Sequence, residues 1–207
     1  MDYKNFLLRF VFSILIVSVY LIISLSDFEM IFYLISVIYF LILVEVILYF
    51  KILRFWLLIY LFLSYISIFN INFILDDFIK FNYFIMTIII FDIFSYFFGK
   101  IFGKTKILSV SPNKTLEGFI GGIITSYFCC LLYSIYFNFK INLILMIVTS
   151  LIIIFAFIGD LIESFFKRKN NLKNSSNFIP GHGGVFDRFD SFLFSIIIYS
   201  FSSKFLL

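Results

Sequence analysis

Residues 10–25 read FVFSILIVSVYLIISL. A strand of a transmembrane barrel alternates apolar and polar side chains over about 10 residues. This stretch shows no such alternation, so it reads as a helix that crosses a bilayer. Comparable apolar runs follow at 31–50, 55–75, 81–99, 117–137, 141–159 and 192–206, the last interrupted by serines and Lys204. Over 207 residues the chain is 63% hydrophobic and only 14% charged, outside the range of a soluble domain. Two prolines and nine glycines leave few helix breakers. No small-residue cleavage site follows Leu25, so the first run is retained as a span rather than read as a signal peptide. Cys129 and Cys130 are adjacent within an apolar run and read as packing residues rather than a disulfide. The expected fold is all-α: a polytopic transmembrane helical protein of about seven spans, forming a single membrane domain over 1–207.

Lysine and arginine set the orientation, because cytoplasmic loops retain them. With a cytoplasmic N-terminus, 13 of the 16 cations fall inside, and Lys80, Lys140 and Lys204 fall outside. That alternation places the two long polar connections, about 100–116 and 160–191, on the cytoplasmic face. For Lys4, Arg9, Lys51 and Arg54, topology and contact with anionic headgroups are explanation enough. In the long connections acids are interleaved with the cations, which topology does not require.

The first acids lie in GDLIESFFKRKNNLKN, residues 159–174. If the helix continues through this stretch, Asp160, Glu163, Ser164, Lys167 and Arg168 share one face at three- and four-residue spacing. Next comes Ile179-Pro180-Gly181-His182-Gly183-Gly184-Val185-Phe186-Asp187-Arg188-Phe189-Asp190-Ser191. Its glycines make a turn whose backbone N–H groups can approach an anion. Asp187 and Asp190 follow one turn apart. The two carboxylate pairs, expected to converge, suit Mg²⁺ completed by substrate phosphates. His182 lacks the partner ligands of a zinc site and reads as a loop hydrogen-bonder or a phosphate contact. In the other connection Ser111-Pro112 resembles an N-cap with a first-turn proline, placing Lys114 and Thr115 at a helix N-terminus able to receive phosphate. Gly118 and Gly122 have the spacing of a close helix contact. Asp92 and Glu45 lie inside apolar spans, where a charge requires a partner. The parts together describe a polyphosphate and divalent-metal site at headgroup level, with a lipid as second substrate.

These residues resemble the phosphatidate cytidylyltransferase (CDP-diacylglycerol synthase) family. Ser164-Phe165-Phe166-Lys167-Arg168, Lys173 and the run from Pro180 to Ser191 resemble its signature. So do Gly159-Asp160, Asp92, Tyr96, Gly99, Gly103 and the stretch Ser111 to Gly118. The resemblance covers about 90–191; the N-terminal part matches only in being helical and reads as shorter than usual by about two spans. It divides the chain into N-terminal spans in 1–80 and catalytic spans with cytosolic loops in 81–207. It implies transfer of a cytidylyl group from CTP to phosphatidic acid, giving CDP-diacylglycerol and pyrophosphate. Mg²⁺, with or without a second cation, is the implied cofactor. Asp160 and Asp187 are the expected leading metal ligands, with Glu163, Asp190 and Asp92 next. Lys114, Lys167, Arg168, Lys173 and Arg188 are expected on phosphates, and Ser111, Thr115 and the loop around His182 around the nucleotide. Asp160, Lys167, Asp187 and Arg188 form the expected catalytic set.

One departure stands out: Asn174 follows Lys173 where the family pattern has Asp. That opens an inactive homologue as an alternative. A CTP-dependent polyprenol or phytol kinase is another, and a transporter is a distant third. Membrane lipids are the expected surroundings and nucleic acid is not an expected partner. A homodimer is left open. Small size and the lack of a targeting extension point to a bacterial inner membrane, with the site facing the cytoplasm.

Overall fold

The computed structural model describes residues 15, 17–24, 27–71, 75–108, 111–179 and 183–203. Beyond a helical stretch at 17–24, its helices are α1 (Met30–Tyr49), α2 (Arg54–Ile68), α3 (Leu75–Phe102), α4 (Leu116–Tyr136), α5 (Leu143–Lys169) and α6 (Phe186–Ser202). A two-stranded antiparallel hairpin, β1 (Lys106–Leu108) and β2 (Ser111–Thr115), joins α3 to α4. Among the described residues, four helices are long and apolar enough to cross a membrane: Met30–Tyr49, Phe78–Phe102, Leu116–Tyr136 and Leu143–Lys169. At 15 residues α2 rises only about 22 Å, less than a bilayer's hydrocarbon core. The first turn of α6 carries Asp187 and Arg188. Residues 10–14, 16 and 25 of the expected first run, with Lys4 and Arg9, lie outside the described residues, as do Lys204 and His182.

The chain divides into two compact units, Met1–Phe78 with Phe166–Phe189, and Ile79–Phe165 with Asp190–Leu207. In the first unit, α1 buries Ile31, Ile35, Tyr39, Ile42 and Val46, a stripe at helical spacing, while Tyr33, Val37, Phe40 and Ile47 point outward. Apolar residues all round are what a helix placed between protein and lipid requires. Tyr39 and Ser64 of α2 share a hydrogen bond between buried hydroxyls, so neither is left unsatisfied in the core. Leu53, with φ of 58°, turns the chain from α1 into α2. The Asn170 side chain holds that turn: its Oδ1 accepts from Lys51 N–H (2.8 Å) and Ile52 N–H (2.7 Å), and its Nδ2 donates to Ile52 O (3.0 Å).

In the second unit, α3 and α4 approach closely through small residues. A Cβ on Gly118 would lie 2.5 Å from Ser95 O and 2.9 Å from Gly99 Cα, and one on Gly122 would meet Ser95 Cβ at 2.9 Å. Side-chain-free surfaces let two backbones meet where lipid offers no hydrophobic drive for association. Aromatic rings fill the space around α3 and α6, with Phe84 stacked on Tyr199 at 4.4 Å between centroids.

The hairpin corrects one expectation. Ser111 does not cap a helix, since Ser111–Thr115 is a strand and Thr115 is the N-cap, its hydroxyl accepting from Gly118 N–H at 3.2 Å. Glu117 in the first turn accepts from Lys104 N–H, Thr105 N–H and the Thr105 hydroxyl (2.8 Å). These bonds, with Leu116 N–H to Thr105 O (2.9 Å), move the helix start to residue 116. A proline is acceptable in the preceding strand because a two-stranded hairpin has only edges.

Candidate active site

The second unit carries an acid group. Gly159 of α5 faces the backbone of α6: an added Cβ would stand 2.5 Å from Asp190 O and 3.0 Å from Phe194 Cβ. That approach brings a carboxylate oxygen from each of Asp160, Glu163 and Asp190 within 4.8 Å of the others. Asp160 and Glu163 are three residues apart on one helical face; Glu163 is buried. Like charges at this separation repel by about 3 kcal/mol per pair at an effective dielectric constant of 20. Lys114, from the strand before α4, offsets part of this through an ion pair with Asp160. Its ammonium also lies 4.4 Å from the centroid of the Phe157 ring. Asp92, inside α3, accepts from the Ser191 hydroxyl at 3.3 Å. Ser111 and Thr115 stand at the two ends of β2, and the Thr115 hydroxyl is committed to its cap. An all-oxygen donor set of three carboxylates suits a hard divalent cation with substrate phosphate completing its shell.

The first unit carries a different arrangement. Asp187 is engaged by protein donors at both oxygens. Oδ1 accepts from Lys167 Nζ at 2.8 Å, and Oδ2 accepts from Ser175 N–H and Gly184 N–H, each at 2.9 Å. The pair is largely shielded, with side-chain exposures of 15% for Lys167 and 9% for Asp187, so it is more than a surface contact. Expected as a leading metal ligand, Asp187 thus sits with a lysine and the loop backbone, and the acid that joins Asp160 and Glu163 is Asp190. Arg168, Lys173 and Arg188 are exposed. Gly183 takes φ of 88°, a conformation that favours glycine, and a Cβ there would meet Asp187 Oδ2 at 2.6 Å and Asn174 Cβ at 3.3 Å.

Sequence reading left Glu45 without a partner. It is fully buried and accepts from Ser176 Oγ (2.5 Å), Val185 N–H (2.8 Å), Phe186 N–H (2.9 Å) and Ser175 Oγ (3.3 Å). The signal was the carboxylate itself, in an apolar span. Its serine partners carry no local mark in the sequence.

Residues 2–206 match a family model described as the cytidylyltransferase family. Curated relatives called phosphatidate cytidylyltransferase include those of Staphylococcus haemolyticus (48% identical), Staphylococcus saprophyticus (49%) and Staphylococcus aureus (49%), each over 102 residues. The matched stretch is 48% of this chain and 39% of each relative. With nearly its whole length under the family model, the chain belongs to the cytidylyltransferase family.

Proposed function

We propose that this chain is a phosphatidate cytidylyltransferase, which joins CTP and phosphatidic acid at the cytoplasmic face of a bacterial inner membrane. The observation that supports this most is the group of Asp160, Glu163 and Asp190 with Lys114 paired to it. In the reaction a phosphate oxygen of the lipid forms a bond to the α-phosphorus of CTP. The bond from that phosphorus to the bridging oxygen breaks, and its electron pair leaves with pyrophosphate. The nucleophile is already anionic, so no strong general base is needed; the obstacle is repulsion between two polyanions.

Asp160, Glu163 and Asp190 are the residues that would hold Mg²⁺. When bound, the ion supplies positive charge opposite the phosphates at the transferring phosphorus. Lys114 contributes a second positive charge, its ammonium held in place by Asp160 and Phe157. In the first unit Lys167, oriented by Asp187, and the exposed Arg168, Lys173 and Arg188 are cations for phosphate groups. Asn174 is exposed, lies beside Gly183 and is separate in sequence from the three grouped acids, so we take its neutral amide as compatible with turnover. Asn174→Asp is expected to change the rate by less than about tenfold, that is by less than about 1.4 kcal/mol. A rise from no activity to full activity would identify the chain as a degenerate copy.

The fate of the phosphates decides between cytidylyl transfer and lipid phosphorylation. Membranes holding the protein, supplied with phosphatidate, should transfer label to lipid from α-labelled CTP and release pyrophosphate. Label entering an isoprenoid alcohol from γ-labelled CTP, with CDP released, would make it a lipid kinase.

A further inference from the structure

Glu45 stands in α1, remote in sequence from every residue assigned to the reaction. Its carboxylate takes donors from both ends of one segment: hydroxyls of Ser175 and Ser176 at the start, and the N–H groups of Val185 and Phe186 at the end. Asp187 takes the N–H groups of Ser175 and Gly184. Three consecutive N–H groups, 184 to 186, are therefore divided between two carboxylates at the N-terminus of α6, where negative charge is stabilised. Gly184 leaves room for this arrangement: a Cβ there would collide with Ser175 Oγ and come within 2.7 Å and 2.9 Å of the two Glu45 oxygens. Between these ends Ile179 N–H bonds to Gly183 O at 2.8 Å.

We infer that Glu45 is a positioning residue for the glycine loop. It fixes the first turn of α6, and so the direction in which Asp187 and Arg188 leave the loop, without touching substrate. The four donors leave no acceptor capacity idle in a site closed to water. The inference rests on the proposed reading of the loop as part of the phosphate machinery, but its first readout does not depend on activity.

The test is Glu45→Gln in purified full-length protein. The amide offers one acceptor oxygen in place of two and turns an NH₂ toward N–H donors. Hydrogen exchange should show protection at Val185 and Phe186 falling by on the order of tenfold, with α2 unchanged. On the folded fraction, kcat should fall by roughly tenfold to a hundredfold, as misplacement by about an ångström does, while KM for CTP changes by less than about threefold. Unchanged protection, or lost protection with wild-type kcat on the same CDP-diacylglycerol assay, would overturn the inference. If Glu45→Gln does not fold, Ser176→Ala removes a single donor. It should lower both readouts by about threefold, and no change in either overturns the inference. A wild-type protein that makes no CDP-diacylglycerol removes the proposed reaction, and the exchange result still decides whether Glu45 holds the loop.

Discussion

Asp187 and Asp190 look equivalent in sequence, one turn apart at the start of one helix, yet they have different neighbours. Asp187 is bonded to Lys167 and two backbone N–H groups, whereas Asp190 lies with Asp160 and Glu163. Asp187→Asn should therefore reduce stability by about 1–3 kcal/mol, the cost of unmatched buried donors. It should leave the Mg²⁺ concentration for half-maximal activity unchanged, measured by titrating Mg²⁺ at saturating CTP. A large shift would place Asp187 among the metal ligands. Lys114→Met removes the charge paired with Asp160, and KM for CTP should rise on the order of tenfold, read from initial rates at fixed phosphatidate. The residue types of the site were legible in the sequence, because acids and cations interleaved in an apolar chain have few structural uses. Which acids sit together was not, since that depends on how closely α5 and α6 approach at Gly159.

At the scale of elements, apolar runs located the helices well, because a membrane helix announces itself by length and composition alone. The run at 117–137 became α4 at Leu116–Tyr136, and 31–50 became α1 at Met30–Tyr49. Polar connections were harder. Ser111 read as the cap and Thr115 as a first-turn residue, whereas Thr115 is the cap, and Glu117 sets that start by reaching back to Thr105, a non-local pairing that local pattern does not encode. Gly159 is the element-level key to the acid group. Gly159→Ala places a methyl against the α6 backbone, which cannot rotate away, so overpacking should cost about 1–3 kcal/mol in unfolding measured in detergent. The same variant should raise the Mg²⁺ requirement. Ile124→Ala, on an outward-facing side chain of α4, serves as the control and should do neither.

For the molecule as a whole, orientation rests on the distribution of charge. If cations mark the cytoplasmic side, Lys106 and Lys173 belong inside and Lys140 outside. In a background carrying Cys129→Ser and Cys130→Ser, Lys106→Cys and Lys173→Cys should react with an impermeant maleimide only after the membrane is opened. Lys140→Cys should react in intact cells. All three positions are exposed, so reactivity reports sidedness rather than burial. Residues 106 and 173 on opposite sides would remove the common cytoplasmic face that CTP chemistry needs.

Asp160, Glu163 and Asp190 are proposed to hold the cation on which cytidylyl transfer depends, and a Mg²⁺ titration of CDP-diacylglycerol formation decides whether they do. Wild-type protein with α-labelled CTP and phosphatidate should make labelled lipid only with Mg²⁺. Asp190→Asn should need at least the roughly ten- to hundredfold more metal that loss of even an outer partner costs, and Asp160→Ala should make none. Mg²⁺-independent transfer, or a wild-type titration curve in both variants, would contradict the account.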